Sequence, residues 1–245
     1  MREQVSIRTN DGTCPAFVLR PEGSDRLPAV IFYMDGFGIR PDLVAMAQRL
    51  AQSGYVVLLP DLFYRHGPYS PLNPKELFAD PGFRKVIGPL MATTNNQLAA
   101  RDTAAFLDYL DNRIDVASRK LGTTGYCMGG GMSLTVAASF PERVAAAASF
   151  HGGNLASDSP MSPHLRAAEM KAFVYVAGAD KDSSYPPEMA QRLEQALAQV
   201  GVPHRCEIYD GALHGWTMTD FPVYDEAAAQ RHWRELTGLY ERTLS

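Results

Sequence analysis

Four nearly uninterrupted apolar runs constrain this chain more than any other feature: Ala29–Met34 (AVIFYM), Tyr55–Leu59 (YVVLL), Val144–Phe150 and Ala172–Ala177. A strand wetted on one face alternates apolar and polar residues, whereas one covered on both faces does not alternate. Each run therefore reads as a strand with helices above and below it. The segments between them carry helical spacing. Leu43, Met46, Ala47 and Leu50 share one helix face, as do Leu98, Ala105, Phe106, Tyr109 and Leu110, and Met189, Leu193, Ala196, Leu197 and Val200. Met132–Phe140 and Asp225–Tyr240 also read as helices. Cys14–Arg20, Lys120–Tyr126 and His204–Tyr209 read as further strands. Strands separated by helices predict a mostly parallel sheet with helices on both faces. No repeat or linker interrupts the alternation, so all 245 residues, 1–245, are expected to form one α/β domain. The pattern lapses only over residues 65–94, where five prolines and the aromatics Tyr69, Phe78 and Phe83 are interleaved. A proline-rich stretch of that length without periodicity is expected to be a lid-like insertion.

Composition narrows the function classes. A net charge of −4 with 20% charged residues excludes the dense cationic field that nucleic-acid and membrane-surface binding require. No segment reaches the length of apolar chain that spans a bilayer. The three cysteines, Cys14, Cys127 and Cys206, form no Cys-x-x-Cys pair and leave one over, which disfavours a disulfide scaffold and fits a reducing compartment. With no signal-like opening, a cytoplasmic protein is expected, as a monomer or homodimer. No cluster of His, Cys and Asp has metal-ligand spacing, so neither a metal nor an organic cofactor is expected.

The most informative motif is Gly125-Tyr-Cys-Met-Gly-Gly-Gly131, placed where a strand gives way to a helix. It is the cysteine form of Gly-x-Ser-x-Gly, a turn so sharp that the residues two before and two after its apex must lack side chains. The helix beyond it aims free N–H groups and a positive dipole end at Cys127, favouring a thiolate and then an oxyanion. Downstream, Phe173–Asp180 is an apolar strand ending in Gly-Ala-Asp, and His214 lies in a loop before the last helix. The order Cys127, Asp180, His214 is nucleophile, acid, base, the order of α/β-hydrolases. Asp182 is the alternative acid; Asp180 is favoured because it directly follows the strand. His151 also ends a strand, but it precedes the acid and reads as a pocket-wall or structural residue.

On these residues the chain resembles the dienelactone hydrolase family of α/β-hydrolases. The likeness rests on GYCMGG at Gly125–Gly130, AGAD ending at Asp180, His214-Gly-Trp216, and Met34-Asp-Gly-Phe-Gly-Ile39 after a central strand. It implies the α/β-hydrolase fold and cleavage of a small-molecule ester or lactone, with Cys127 as nucleophile, His214 as base and Asp180 as orienting acid. It also implies an oxyanion hole from the backbone N–H groups of Gly36 and Met128, and Asp35 as a gate on the thiol, one methylene shorter than the family's usual glutamate. The family's prototype places a carboxylate-binding arginine four residues after the histidine, where this chain has Met218. Arg40 and Arg65 are the remaining candidate substrate arginines, with Tyr126, His151 and Trp216 as candidate pocket residues. A thioesterase on the same scaffold, or a non-catalytic small-ligand binder, is the alternative reading.

Overall fold

The computed structural model describes residues 1–23 and 25–244. Eight strands form one sheet: β1 (Arg2–Thr9), β2 (Gly12–Leu19), β3 (Leu27–Tyr33), β4 (Val56–Pro60), β5 (Val116–Tyr126), β6 (Val144–Phe150), β7 (Phe173–Ala179) and β8 (His204–Tyr209). Their order across the sheet is β1-β2-β4-β3-β5-β6-β7-β8. β1 and β2 make a hairpin, and β2 joins β4 antiparallel. Every pairing from β4 through β8 is parallel. The apolar runs take the central places, as their lack of alternation requires: Val30, Ile31 and Phe32 in β3 and Val56 through Leu59 in β4 are fully buried.

The helices are α1 (Pro41–Gln52), α2 (Pro74–Ala79), α3 (Phe83–Met91), α4 (Asn96–Asp111), α5 (Met128–Ser139), α6 (Pro187–Gln199) and α7 (Glu226–Thr243). Consecutive residues of β5 show how the sheet is covered on both sides. A Cβ on Gly122 would lie 2.5 Å from the Tyr240 ring of α7, so this position is kept open for that helix. The next residue points to the other face, where Thr123 Oγ1 lies 2.8 Å from Ser133 Oγ of α5. α1 joins α7 on its side, with the Arg49 guanidinium 4.6 Å from the Trp233 ring. α5 is buried around its whole circumference from Gly129 to Ala138, as a helix wedged between sheet and neighbours must be.

Residues 65–94 are more ordered than the sequence pattern suggests. They contain α2 and α3, with Asn73 capping α2 through its side chain and Pro74 in its first turn. The periodicity was hidden because α2 is only six residues long and because Phe78 and Phe83 line a cavity, Phe83 also touching the core. A single 3₁₀ turn, Tyr64–His66, and a seven-residue 3₁₀ segment kinked at Arg166, Pro163–Glu169, complete the regular structure. No described helix is long and apolar enough to cross a membrane.

Candidate active site

β5 ends at Tyr126 and α5 begins at Met128, so the chain turns on the single residue Cys127, held at φ 54° and ψ −117°. A non-glycine residue in this left-handed region stores on the order of 1–3 kcal/mol of strain, which the surroundings must impose. They do so by close backbone approach. A Cβ on Gly125 would lie 1.8 Å from the Gly129 carbonyl oxygen, and one on Gly129 would lie 2.4 Å from that of Tyr33. The Cys127 N–H is shared between the Phe150 carbonyl at 3.1 Å and His151 Nδ1 at 3.2 Å. Since His151 Nδ1 accepts, its proton resides on Nε2, which donates to Thr217 Oγ1 at 2.7 Å. Burial, with the neighbouring His214 and His232, holds the His151 ring well below its ordinary pKa. His151 is therefore a neutral brace beneath the turn.

The acid on the histidine is Asp182, not Asp180. His214 Nδ1 lies 2.6 Å from Asp182 Oδ2. Asp182 Oδ1 in turn accepts from the Ser184 N–H at 2.8 Å and the Ser184 hydroxyl at 2.7 Å. Asp180 instead accepts from the Gly211 N–H through Oδ2 at 3.3 Å, tying the β7 end to the turn after β8. The physical reason is Lys181, at φ 52°, which reverses the chain after the strand so that Asp182 returns towards the site. The sequence signal was Asp182-Ser183-Ser184, an aspartate able to cap the backbone two residues on.

His214 and Cys127 line the same two cavities. Burial opposes a charged imidazole, but hydrogen bonds to Asp182 and the Cys127 sulfur and the negative charge they can carry outweigh it, and the His214 pKa is pushed up to about 10. Burial likewise opposes the Asp182 carboxylate, yet His214 and Ser184 hold its pKa below the ordinary 3.8. These shifts couple stability to pH. The His214 contribution is complete below its ordinary value of 6.5 and is lost as pH rises through about 10. The Asp182 contribution is complete above 3.8 and is lost as pH falls below it. An Asp182→Asn variant is thus expected to show its largest deficit in melting temperature between about pH 4 and 6.5 and a shrinking one towards pH 10. Thermal melts across that range check this; a deficit growing with alkalinity would contradict the pairing.

Asp35 does not engage the thiol. Its Oδ1 and Oδ2 each lie 2.8 Å from a different Arg40 guanidinium nitrogen, and Oδ1 also accepts from the Phe37 N–H at 2.9 Å. Arg40 completes a buried triad through Nε to Asp220 Oδ2 at 2.5 Å. It is 2% exposed and packs beside the paired Phe37 and Phe221 rings, so it is not a substrate contact. Arg65 is likewise committed, to Asp11 and Asp102, away from the elbow. Tyr126 is fully buried with its hydroxyl 2.8 Å from His232 Nε2, and Trp216 is fully buried between Tyr209 and His151. None of Arg40, Arg65, Tyr126, His151 and Trp216 lines a cavity at Cys127, which corrects their expected role as pocket residues. Gly36 and Met128 do border those cavities, and among the described residues neither backbone N–H meets an acceptor outside regular helix or strand pairing. As the first residue of α5, Met128 lacks an intrahelical partner.

The two cavities differ in character. One, of about 530 Å³, is walled by Phe37, Phe78, Phe83, Ile87 and Phe221. The other, of about 310 Å³, is walled by asparagine, glutamine, serine and threonine side chains together with methionines. Sequence reasoning reached Phe78 and Phe83 only as interleaved aromatics of the proline-rich stretch and Phe37 only as part of the Met34–Ile39 motif; it missed Ile87, Phe221 and the polar wall from the start of α4 and the loop after β6, which carry no motif. Among the described residues no group of three or more His, Cys, Asp or Glu side chains is arranged to hold a metal ion.

Residues 14–244 match the family described as Dienelactone hydrolase family. A Salmonella typhi protein provisionally named carboxymethylenebutenolidase is 29% identical over 242 residues, covering 95% of this chain and 84% of its own. A Bradyrhizobium protein provisionally named 2-oxo-3-(5-oxofuran-2-ylidene)propanoate lactonase is 28% identical, covering 97% and 92%. Among solved structures, a provisionally named dienelactone hydrolase from Klebsiella pneumoniae superposes with a TM-score of 0.84 at 24% identity, over 98% of each chain.

Proposed function

The chain belongs to the dienelactone hydrolase family, and from that premise we propose that it hydrolyses a carboxylic ester or lactone through a thioester on Cys127, with His214 as base and Asp182 as the acid that orients it. One observation carries this reading: a strained cysteine at a strand-to-helix apex shares its cavities with a histidine whose far nitrogen is 2.6 Å from a buried carboxylate. Asp182 fixes the tautomer that leaves Nε2 towards sulfur and stabilises the imidazolium once it forms. With its raised pKa, His214 holds the proton drawn from the Cys127 thiol, and the thiolate of that ion pair attacks the carbonyl carbon. The carbonyl oxygen gains the charge and is met by the N–H groups of Gly36 and Met128; one such donor is worth roughly 2.7–4 kcal/mol. The tetrahedral intermediate collapses, the alcohol leaves with the proton from His214, and a thioester remains. Water then attacks the thioester with His214 taking its proton, and the second collapse returns the thiol and releases the acid. α2 and α3 contribute Phe78, Phe83, Ile87 and Met91 to the cavity wall, which supports a role for residues 65–94 as a lid over the bound ester.

The test is steady-state hydrolysis of short aryl esters and simple lactones by Cys127→Ala and His214→Ala. Each substitution is expected to lower kcat/KM by on the order of 10³-fold or more. Unchanged turnover in either variant would remove that residue from the reaction.

A further inference from the structure

Cys127 and His214 stand where the two cavities meet, and Met91 borders both. The proposed oxyanion donors divide the same way, Gly36 on the apolar side and Met128 on the polar side. A carbonyl held there sends one limb of its ester into each cavity. The apolar cavity is aromatic: the Phe78 ring lies 5.1 Å from that of Phe37 and 5.0 Å from that of Phe221, edge-on to the latter, a geometry that accepts a further ring. Its one carboxylate, Asp35, is already matched by Arg40; of its cations, His214 is matched by Asp182 and Arg84 is exposed at the rim.

The polar cavity holds a different signal. Thr94 and Gln97 border it, and Thr94 Oγ1 and Gln97 Oε1 are buried without a hydrogen-bond partner; Thr94 is only 7% exposed. Buried polar atoms are normally paired, so a side-chain rotation that brings either oxygen to the cavity surface is stabilised by a hydroxyl or amide held there. Asn154, Ser157 and Ser162 add further donors and acceptors, and no lysine or arginine lines this space. Such a site rewards hydroxyl or amide groups and offers an anion no countercharge beyond His214, whose charge Asp182 already matches.

We infer that the substrate is a neutral ester with one aromatic or branched apolar limb and one uncharged, hydroxyl-rich or amide-bearing limb. This rests on Cys127 being the nucleophile and adds the substrate class. It separates the chain from hydrolases of small carboxylate-bearing lactones.

Three esters test it on the wild-type enzyme: glyceryl phenylacetate, ethyl phenylacetate and glyceryl hydrogen succinate. Glyceryl phenylacetate is expected to exceed each of the others in kcat/KM by roughly tenfold or more. Thr94→Val is expected to narrow the glyceryl-to-ethyl ratio, because the hydroxyl that would pair with the glyceryl limb is gone. Phe78→Ala is expected to narrow the phenylacetate-to-succinate ratio. A succinate ester faster than the phenylacetate, with that advantage lost in Arg84→Gln, would overturn the inference in favour of an anionic limb. Equal rates for all three would overturn it as well. Mass detection of a Cys127 acetyl adduct from 4-nitrophenyl acetate reports separately on the nucleophile. An adduct without the ester preference sinks this inference alone, and absence of both adduct and turnover sinks the nucleophile with it.

Discussion

Asp182→Asn is expected to lower kcat/KM for an aryl ester by between roughly 10² and 10⁴, while Asp180→Asn stays within about threefold of wild type. The two carboxylates are separated by one residue, so the pair is an internal control for charge and location. Asp182 Oδ2 is 2.6 Å from His214 Nδ1, and its other oxygen is fixed by Ser184. An asparagine there can present its amide N–H₂ to the ring, which stabilises the tautomer with its proton facing sulfur and leaves no acceptor for the thiol proton. Asp180 only ties down the Gly211 N–H. Parallel kinetics of the two variants decide the matter. A large loss in Asp180→Asn with near-normal activity in Asp182→Asn would reverse the assignment.

Arg40→Met is expected to destabilise the fold by about 3–5 kcal/mol, because it leaves two carboxylates buried without their shared cation. Asp35 and Asp220 approach Arg40 from segments far apart in the chain, and the arginine is almost wholly removed from solvent. Denaturant unfolding measures the loss. A triple variant, Arg40→Met with Asp35→Asn and Asp220→Asn, is expected to recover a large part of it, since no charge is then stranded. A loss below about 1 kcal/mol for Arg40→Met would show that the triad is not holding these loops together. The same triad bears on the thiol. With both Asp35 oxygens on Arg40, Asp35→Asn is expected to leave the pH profile of Cys127 alkylation nearly unchanged. A marked shift in that profile would restore Asp35 as a gate.

The parallel sheet was legible because buried strands must be continuously apolar, and β3, β4, β6 and β7 are written that way. The apex cysteine was legible because its turn excludes side chains at Gly125 and Gly129, a constraint that sequence records directly. The acid was not, since Asp180 and Asp182 differ only in how Lys181 turns the chain, and a left-handed lysine leaves no mark in composition. Arg40 looked available for substrate because nothing in the sequence pairs it with Asp35, five residues before it, or with Asp220, 180 residues after it; only the folded chain shows it to be spent on both. The cavity walls were legible only as the interleaved aromatics Phe78 and Phe83; the rest was not, because helices as short as α2 and α3 hold too few turns to repeat a core period.

The central claim is that Cys127 sulfur becomes covalently acylated. Its most direct measurement is the intact mass of the protein quenched in acid milliseconds after mixing with an excess of 4-nitrophenyl acetate, followed by peptide mapping. The account predicts an acetyl increment on Cys127 with a matching nitrophenolate burst, and neither in Cys127→Ala. Turnover of the ester by wild type with no increment on Cys127 at any quench time, and undiminished turnover by Cys127→Ala, would contradict it.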